Sequence, residues 1–135
     1  MDYSVVDPDD VDRVDMGEMT DGMIEPDVRR IQAELDLDEM VANLWYFEEG
    51  ESITHHEHEE QEEVYLVVEG EFEAKFGEAG DTDVETLYEG DVFSASAETP
   101  HGHRCVSEGG GAIFAVGAPN VTDVNPSTYT PYDDA

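Results

Sequence analysis

The sequence predicts an all-β protein built as a single barrel or sandwich. A length of 135 residues fits one domain. From residue 40 onward, short segments rich in Val, Tyr, Phe and Trp recur at regular spacing, and Gly with acidic residues separates them. Such a series of short strands and turns is typical of sandwiches and barrels. The candidate strands are 40–48, 52–58, 62–69, 71–77, 83–88, 91–95, 101–107 and 112–118.

Two segments flank the predicted barrel at 40–118. Residues 1–39 are acidic and contain only short apolar pieces, so we expect an irregular N-terminal arm packed on the barrel. Within this arm, residues 29–38 alternate weakly, and the pattern allows either a strand or a short helix. Residues 119–135 contain three prolines and predict an extended C-terminal tail.

The five histidines fall into two groups, and the first lies in predicted strand 52–58. His56 and His58 are two residues apart, so they point to one face of a strand. Glu63 lies on the next strand, and two imidazoles with one carboxylate inside a barrel suit a divalent transition metal. A solvated, acid-rich loop is the alternative interpretation. His55 points away from His56 and is expected to be structural or exposed.

Predicted strand 62–69 is apolar on both faces. Tyr65 lies on the inward face, where it either donates a hydrogen bond to a ligand or packs in the core. Val64, Leu66 and Val68 form the outward face. Because a strand that is apolar on both faces is covered on both, we expect the arm or a second subunit to cover these side chains.

Predicted strand 101–107 carries the second histidine group. Alternation places His101, His103 and Cys105 on one face and Arg104 on the other. His101 could supply a third imidazole from across the barrel. His103 lies one pleat away. Either it acts on the site, as a hydrogen-bond donor or as a general acid or base, or it is a buried histidine that is hydrogen-bonded to a neighbour. Cys105 is the one cysteine, so it excludes an intramolecular disulfide, and we expect it to be buried.

The composition is strongly acidic, with 36 Asp and Glu against 5 Lys and Arg and a formal net charge of −31. This charge repels phosphate backbones and anionic lipid headgroups, so we expect no nucleic acid and no membrane as partners. The spread of acids along the chain favours adaptation to high salt and an origin in a halophilic archaeon, with an ordinary acidic protein as the alternative. Without a visible signal peptide, a soluble cytoplasmic protein is expected.

The residues around the first histidine group form a specific motif of 21 residues. Gly50-x5-His56-x-His58-x4-Glu63-x6-Gly70 resembles the first signature of the cupin superfamily at every position. The chain is therefore similar to small single-domain cupins with one conserved barrel.

The second cupin signature is present in a degenerate form. It begins at Gly90, with Ser96 in place of its Pro, Glu98 in place of its Gly and Cys105 in place of its Asn. His101 stands at the position of the metal ligand. Loss of the glycine at Glu98 affects a turn that favours positive φ, but the ligand itself is retained.

The resemblance covers about residues 40–118 and implies a jelly-roll β-barrel. It also implies one divalent transition metal per chain, held by His56, His58, Glu63 and His101. This set suits Fe, Mn, Ni, Co, Cu or Zn, so the identity of the metal stays open. Because cupins are commonly dimers, the resemblance also favours a homodimer.

The predicted pocket has almost no fixed positive charge besides the metal. A phosphorylated sugar normally requires Arg or Lys on its phosphate, so the sequence argues against the phosphosugar isomerases among the cupins. It favours a small substrate that binds the metal through an enolate, catecholate or carboxylate, in a dioxygenase-like or lyase-like reaction. His103 and Tyr65 are the candidate catalytic residues. The alternatives are a non-catalytic module that binds or senses a small ligand and a structural barrel with an incidental metal.

Overall fold

The part of the chain that this computed structural model describes, residues 1–121, 123–124 and 126–135, is mostly β-structure. Its strands are β1 (Arg13–Val14), β2 (Asp27–Arg29), β3 (Val41–Phe47), β4 (Ser52–His56), β5 (Glu62–Glu69), β6 (Phe72–Phe76), β7 (Asp83–Leu87), β8 (Val92–Ala95), β9 (His101–Cys105) and β10 (Gly111–Ala118). Its helices are α1 (Met16–Met19), α2 (Ile31–Leu35) and three 3-10 turns at Pro8–Asp10, Pro126–Thr128 and Tyr132–Asp134. None of the helices described is long and apolar enough to cross a membrane.

The strands form two antiparallel sheets, as expected for an all-β fold. The larger sheet has six strands in the order β1-β2-β3-β10-β5-β8, and the smaller has four in the order β4-β9-β6-β7. All eight strands predicted after residue 40 are present, and their ends lie within two residues of the predicted ones. The two sheets do not close into a continuous barrel, because no ladder joins their edge strands among the described residues.

The core lies between the two sheets, and side-chain alternation decides which residues reach it. On β5, Tyr65 and Val67 are buried, whereas Val64, Leu66 and Val68 on the other face are exposed. Burial of each large apolar side chain contributes about 1.5–3 kcal/mol, so this cluster is the main source of stability. The buried cluster consists of Phe47, Ile53, Tyr65, Val67, Phe72, Ala74, Leu87, Cys105, Ile113 and Ala115.

Two turns with positive φ explain features of the predicted motifs. Gly70 has a φ of 86°, and a Cβ there would lie 2.6 Å from the Gly110 carbonyl oxygen, so only glycine fits. Glu98 has a φ of 66°. The turn of the second motif therefore keeps its left-handed conformation without glycine, at a cost of roughly 1–2 kcal/mol.

The N-terminal arm adds regular structure to the edge and outer side of the larger sheet. β1 and β2 extend this sheet beside β3, and Arg13 and Arg29 stack on the Tyr46 ring at 4.1 and 5.1 Å. Ile31 of α2 is buried in a second, smaller core on the outer side. The weakly alternating segment 29–38 contains both the end of β2 and helix α2.

The arm does not cover the outward face of β5. Val64, Leu66 and Val68 are 42%, 38% and 45% exposed. The arm packs instead near Leu44 of β3 and Phe114 of β10. The expectation that the arm covers this face is wrong, because β10 separates β3 from β5 in the sheet.

The C-terminal tail runs back along the smaller sheet. Thr130 and His55 exchange two backbone hydrogen bonds of 2.9 Å. The buried Tyr132 ring lies against the side chains of Lys75 and Arg104, at 4.5 and 4.6 Å. With the two arginines of the arm, four of the five Lys and Arg residues therefore contact one of two tyrosine rings.

Candidate metal centre

Three potential metal ligands lie together between the sheets. His56 is the last residue of β4, Glu63 is the second residue of β5, and His58 lies in the loop between them. Their ligand atoms all lie within 4.8 Å of one another. The structure differs from the prediction that both histidines lie on one strand, because β4 ends at His56. His58 is held instead by an isolated β-bridge to Val124 of the tail.

Each imidazole of the site is oriented by a hydrogen bond from its Nδ1. His56 Nδ1 donates to the Thr54 carbonyl oxygen at 2.7 Å, and His101 Nδ1 donates to the Thr99 carbonyl oxygen at 2.8 Å. His58 Nδ1 lies 2.7 Å from a carboxylate oxygen of the tail. Because a neutral imidazole carries one N–H, donation from Nδ1 leaves the Nε2 lone pair of each ring for a cation.

Glu63 lies at the centre of these rings. Its Oε1 is 2.8 Å from His58 Nε2 and 3.4 Å from His101 Nε2. This oxygen is buried, yet it has no hydrogen-bond partner of suitable geometry among the described residues. Burial would raise the pKa of Glu63, but the His101 and His58 rings outweigh burial and hold that pKa well below its ordinary value. The carboxylate is therefore ionised and oriented as a metal ligand would be.

His101 lies beside the cluster of three ligands. Its ring centroid is 4.7 Å from that of His56. Tyr65 Oη lies 3.0 Å from His101 Nε2. Because His101 donates from Nδ1, its Nε2 accepts this hydrogen bond from the tyrosine hydroxyl. The lone pair that a metal would use is thus occupied by Tyr65 in this structure.

Asp123 of the tail orients His58, and sequence reasoning missed it. One of its carboxylate oxygens accepts the 2.7 Å hydrogen bond from His58 Nδ1. The other accepts backbone hydrogen bonds from Glu60 at 2.7 Å and Gln61 at 2.8 Å. The side chain is only 10% exposed. Among 36 acidic residues, no local pattern distinguishes this one, because its partners lie about 60 residues away in the sequence.

The two histidines of the first motif differ in proton affinity. Burial lowers the pKa of His56 to about 4, so its ring is neutral at pH 7. Burial lowers the pKa of His58 as well, but the neighbouring carboxylates of Glu63 and Asp123 outweigh burial and raise this pKa above its ordinary value. A proton therefore competes with a metal chiefly at His58.

A cavity of about 260 Å³ opens beside the ligands. Its wall is largely apolar, with Trp45 and Ile53 among the larger side chains, and Asn43 and Gln61 supply amide groups. No Lys or Arg among the described residues lines it. This agrees with the sequence prediction that the pocket has almost no fixed positive charge besides a metal, as far as the described residues show.

His103 also lines this cavity, one pleat further along β9 from His101. Its side chain is only 2% exposed and is surrounded by aromatic rings. Burial, with the neighbouring His101 and His56, lowers the pKa of His103 to about 3, so the ring is neutral. Among the described residues, neither ring nitrogen has a hydrogen-bond partner.

The structure also shows where His55, Cys105 and Arg104 lie. His55 is 2% exposed and donates from Nε2 to the Gly77 carbonyl oxygen at 2.7 Å, so its structural role is confirmed and the exposed alternative is wrong. Cys105 is buried, as predicted. Arg104 points away from the site and donates to the Gly50 carbonyl oxygen.

Comparisons with known proteins agree with this architecture. Residues 43–117 match the family described as a cupin domain, whereas no curated protein matches the sequence. A conserved protein with a double-stranded β-helix domain from Klebsiella pneumoniae has a TM-score of 0.69 and 21% identity, covering 92% of this chain and 96% of its own. A cupin sugar phosphate isomerase from Silicibacter pomeroyi has a TM-score of 0.70 and 18% identity, covering 98% and 95%. An oxalate decarboxylase variant from Bacillus subtilis has a TM-score of 0.67 and 14% identity, covering 97% of this chain but 34% of its own.

Proposed function

The chain belongs to the cupin family, and on this premise we propose that it is a metal-dependent enzyme for a small metal-chelating substrate. One observation carries the proposal. His56, His58 and Glu63 bring their ligand atoms within 4.8 Å of one another, beside a cavity large enough for a small molecule. Ring nitrogens with free lone pairs and a buried carboxylate oxygen without a partner form a donor set that fits a divalent transition metal.

We assign His101 as the fourth ligand. Its Nε2 lies 3.4 Å from Glu63 Oε1, and its ring neighbours that of His56. For His101 to bind the metal, the Tyr65 hydroxyl must turn away from Nε2. The donor set of three imidazoles and one carboxylate suits Fe, Mn, Ni, Co, Cu or Zn. Bound there, one such ion per chain would supply Lewis-acid or redox chemistry and open positions for substrate, water or O₂.

Tyr65 and His103 are the side chains that we assign to contact the substrate. Both line the cavity on the side of the core. Burial raises the pKa of Tyr65 well above its ordinary value, so its hydroxyl stays protonated and acts as a hydrogen-bond donor. If the hydroxyl turns away from His101, it becomes free to donate to a substrate oxygen.

The cavity favours a substrate without a phosphate group. A phosphate would meet no Lys or Arg among the described lining residues, and it would approach the ionised Glu63. The similarity to a sugar phosphate isomerase therefore supports the fold rather than that substrate. We propose an enolate, catecholate or carboxylate substrate in a dioxygenase-like or lyase-like reaction.

The proposal is tested by metal analysis and by turnover. Untagged protein, loaded with each candidate metal in turn, should bind about one ion per chain. Glu63→Gln should lose most of this metal, whereas Glu62→Gln, the matched change on the exposed neighbour, should keep it. A panel of chelating substrates, assayed with and without oxygen, should then reveal turnover.

Equal metal content in the two glutamate variants would contradict the assignment of the site. A metal-loaded structure with Glu63 turned outward, or with His101 remote from the other ligands, would do the same. Binding of chelators without turnover would favour the alternative function, a non-catalytic module that binds or senses a small ligand.

We also propose that the protein is a cytoplasmic homodimer from a halophilic archaeon, and that it binds neither nucleic acid nor membranes. The outward face of β5, with Val64, Leu66 and Val68 exposed, supports the homodimer because it offers an apolar contact surface. The net charge of −31 supports the expectations about salt and partners.

A further inference from the structure

One polar side chain in the wall of the cavity forms no hydrogen bond with the described residues. His103 lies among four aromatic side chains of the core, with ring-centroid distances of 5.6 Å to Phe47, 5.4 Å to Tyr65, 5.9 Å to Phe93 and 6.4 Å to Phe72. It nevertheless lines the same cavity as the metal ligands. The cavity therefore runs from the candidate metal centre to an imidazole in an apolar setting.

Both nitrogens of this imidazole lack a hydrogen-bond partner among the described residues. A neutral imidazole carries one donor and one acceptor, and burial of either without a partner lowers stability. The equally buried His55 differs, because its Nε2 donates to a backbone carbonyl oxygen at 2.7 Å and only its Nδ1 lacks a partner among the described residues. His103 thus has unused hydrogen-bonding capacity in the wall of the cavity.

The rest of the cavity limits what can reach His103. Its volume of about 260 Å³ exceeds the ~150 Å³ of a cavity that holds one benzene ring. Trp45, Ile53 and Ala115 contribute apolar wall, and no Lys or Arg among the described residues is present to neutralise an anion. The cavity therefore fits a ligand with one substituted ring, or with an apolar chain of similar size. The part of the ligand that contacts the core should be uncharged.

We infer that His103 forms a second binding subsite for the far end of the ligand. This inference rests on the proposed function, in which one end of the ligand binds the metal. The ligand class is a mainly apolar molecule of about one substituted ring, with chelating oxygens at one end and an uncharged hydroxyl or carbonyl group at the other. The chelating end lies at His56, His58 and Glu63, and the polar group at the far end pairs with the His103 ring.

A matched pair of catechols tests this inference. 4-(Hydroxymethyl)catechol and 4-methylcatechol share the chelating end and differ by one hydroxyl at the far end. Their dissociation constants are measured on Co²⁺-loaded protein under argon, from the visible spectrum of the metal. We expect the hydroxymethyl compound to bind about 3- to 10-fold more tightly, although the methyl compound is more apolar. 3,4-Dihydroxybenzoate should bind more weakly than the hydroxymethyl compound, because its carboxylate meets no cation.

Two variants identify the partner of the hydroxyl. His103→Phe resembles the surrounding rings and should abolish the preference for the hydroxymethyl compound while both catechols still bind. His103→Gln retains a donor and an acceptor and should keep a preference. A purely structural role for His103 would change both dissociation constants by the same factor and leave their ratio unchanged.

The possible outcomes separate this inference from the proposed function. If both catechols change the Co²⁺ spectrum but wild-type protein does not prefer the hydroxymethyl compound, the subsite is refuted and the metal centre stands. An unchanged preference in His103→Phe also refutes the subsite. If Co²⁺ binds but neither catechol changes its spectrum, the proposed function fails, and the subsite fails with it. Should His103→Phe not fold, the wild-type ratio and His103→Gln still decide.

Discussion

Replacement of Asp123 by Asn should weaken metal binding without removing any ligand. The carboxylate accepts the hydrogen bond from His58 Nδ1 with one oxygen and two backbone hydrogen bonds with the other. Asparagine has almost the same size, but only one of its two terminal atoms is an acceptor. If its oxygen keeps the bonds to Glu60 and Gln61, its NH₂ group faces the His58 N–H, and donor meets donor. His58 relieves this conflict by moving its proton to Nε2, the atom that a metal needs.

The size of the effect follows from the role of this contact. Loss of a group that orients a metal-ligating histidine typically reduces metal affinity 10- to 100-fold, which is about 1.4–2.8 kcal/mol. A smaller, opposite effect comes from protonation. Asp123 helps to raise the pKa of His58. Its replacement therefore lowers this pKa, so a proton competes less strongly with the metal. The loss of affinity should therefore be clearer at pH 8 than at pH 6.

The assay is a competition titration of Zn²⁺ or Co²⁺ against a chromophoric chelator, at both pH values. Asp133→Asn is the matched control, because it removes the same charge from the tail but contacts Arg104 rather than His58. Urea unfolding of the metal-free proteins separates metal affinity from stability. Equal metal affinity in the two variants at pH 8 would refute the reasoning that the tail orients His58.

Three further predictions follow from the site and the charge. His58→Ala should remove most of the bound metal, measured by elemental analysis after gel filtration, and full retention would contradict its role as a ligand. Acidification should release the metal, first by protonation of His58, whose pKa is raised, and completely near pH 4, the pKa of His56. Equilibrium dialysis from pH 8 to 4 checks this order, and constant occupancy down to pH 4 would refute it. The melting temperature should rise from ~0.05 to 2 M KCl, because the Debye length falls from above 10 Å to below 3 Å and screens the net charge of −31. A neutral osmolyte is the control, and a flat melting temperature would mean that the acidic surface is compensated internally.

The sequence predicts the strands well because their signal is local. Alternation along β5 places Tyr65 inward and Val64 outward, and glycine at position 70 marks a turn that no other residue can form. The motif likewise identifies His56 and Glu63 as neighbours in space.

The contacts made by the tail could not be predicted in this way. Asp123 reaches His58 across 65 residues, and the bridge from Val124 replaces the strand pairing expected for His58. The pairing of Arg13 with Arg29 in the added strands is also set by tertiary contacts rather than by local pattern. The hydrogen bond from Tyr65 to His101 and the lack of a partner at His103 among the described residues depend on the three-dimensional surroundings, which the spacing of residues in the sequence does not specify.

The placement of the few basic residues determines how a protease would cut this protein. Trypsin cleaves after Lys and Arg, and the chain offers it Arg13, Arg29, Arg30, Lys75 and Arg104. The first three lie in the arm, whereas Lys75 and Arg104 lie inside the neighbouring strands β6 and β9 under Tyr132. Cuts in the first group therefore report release of the arm, and cuts in the second require the tail to lift and the smaller sheet to open. The masses of the fragments identify which end of the chain detaches first.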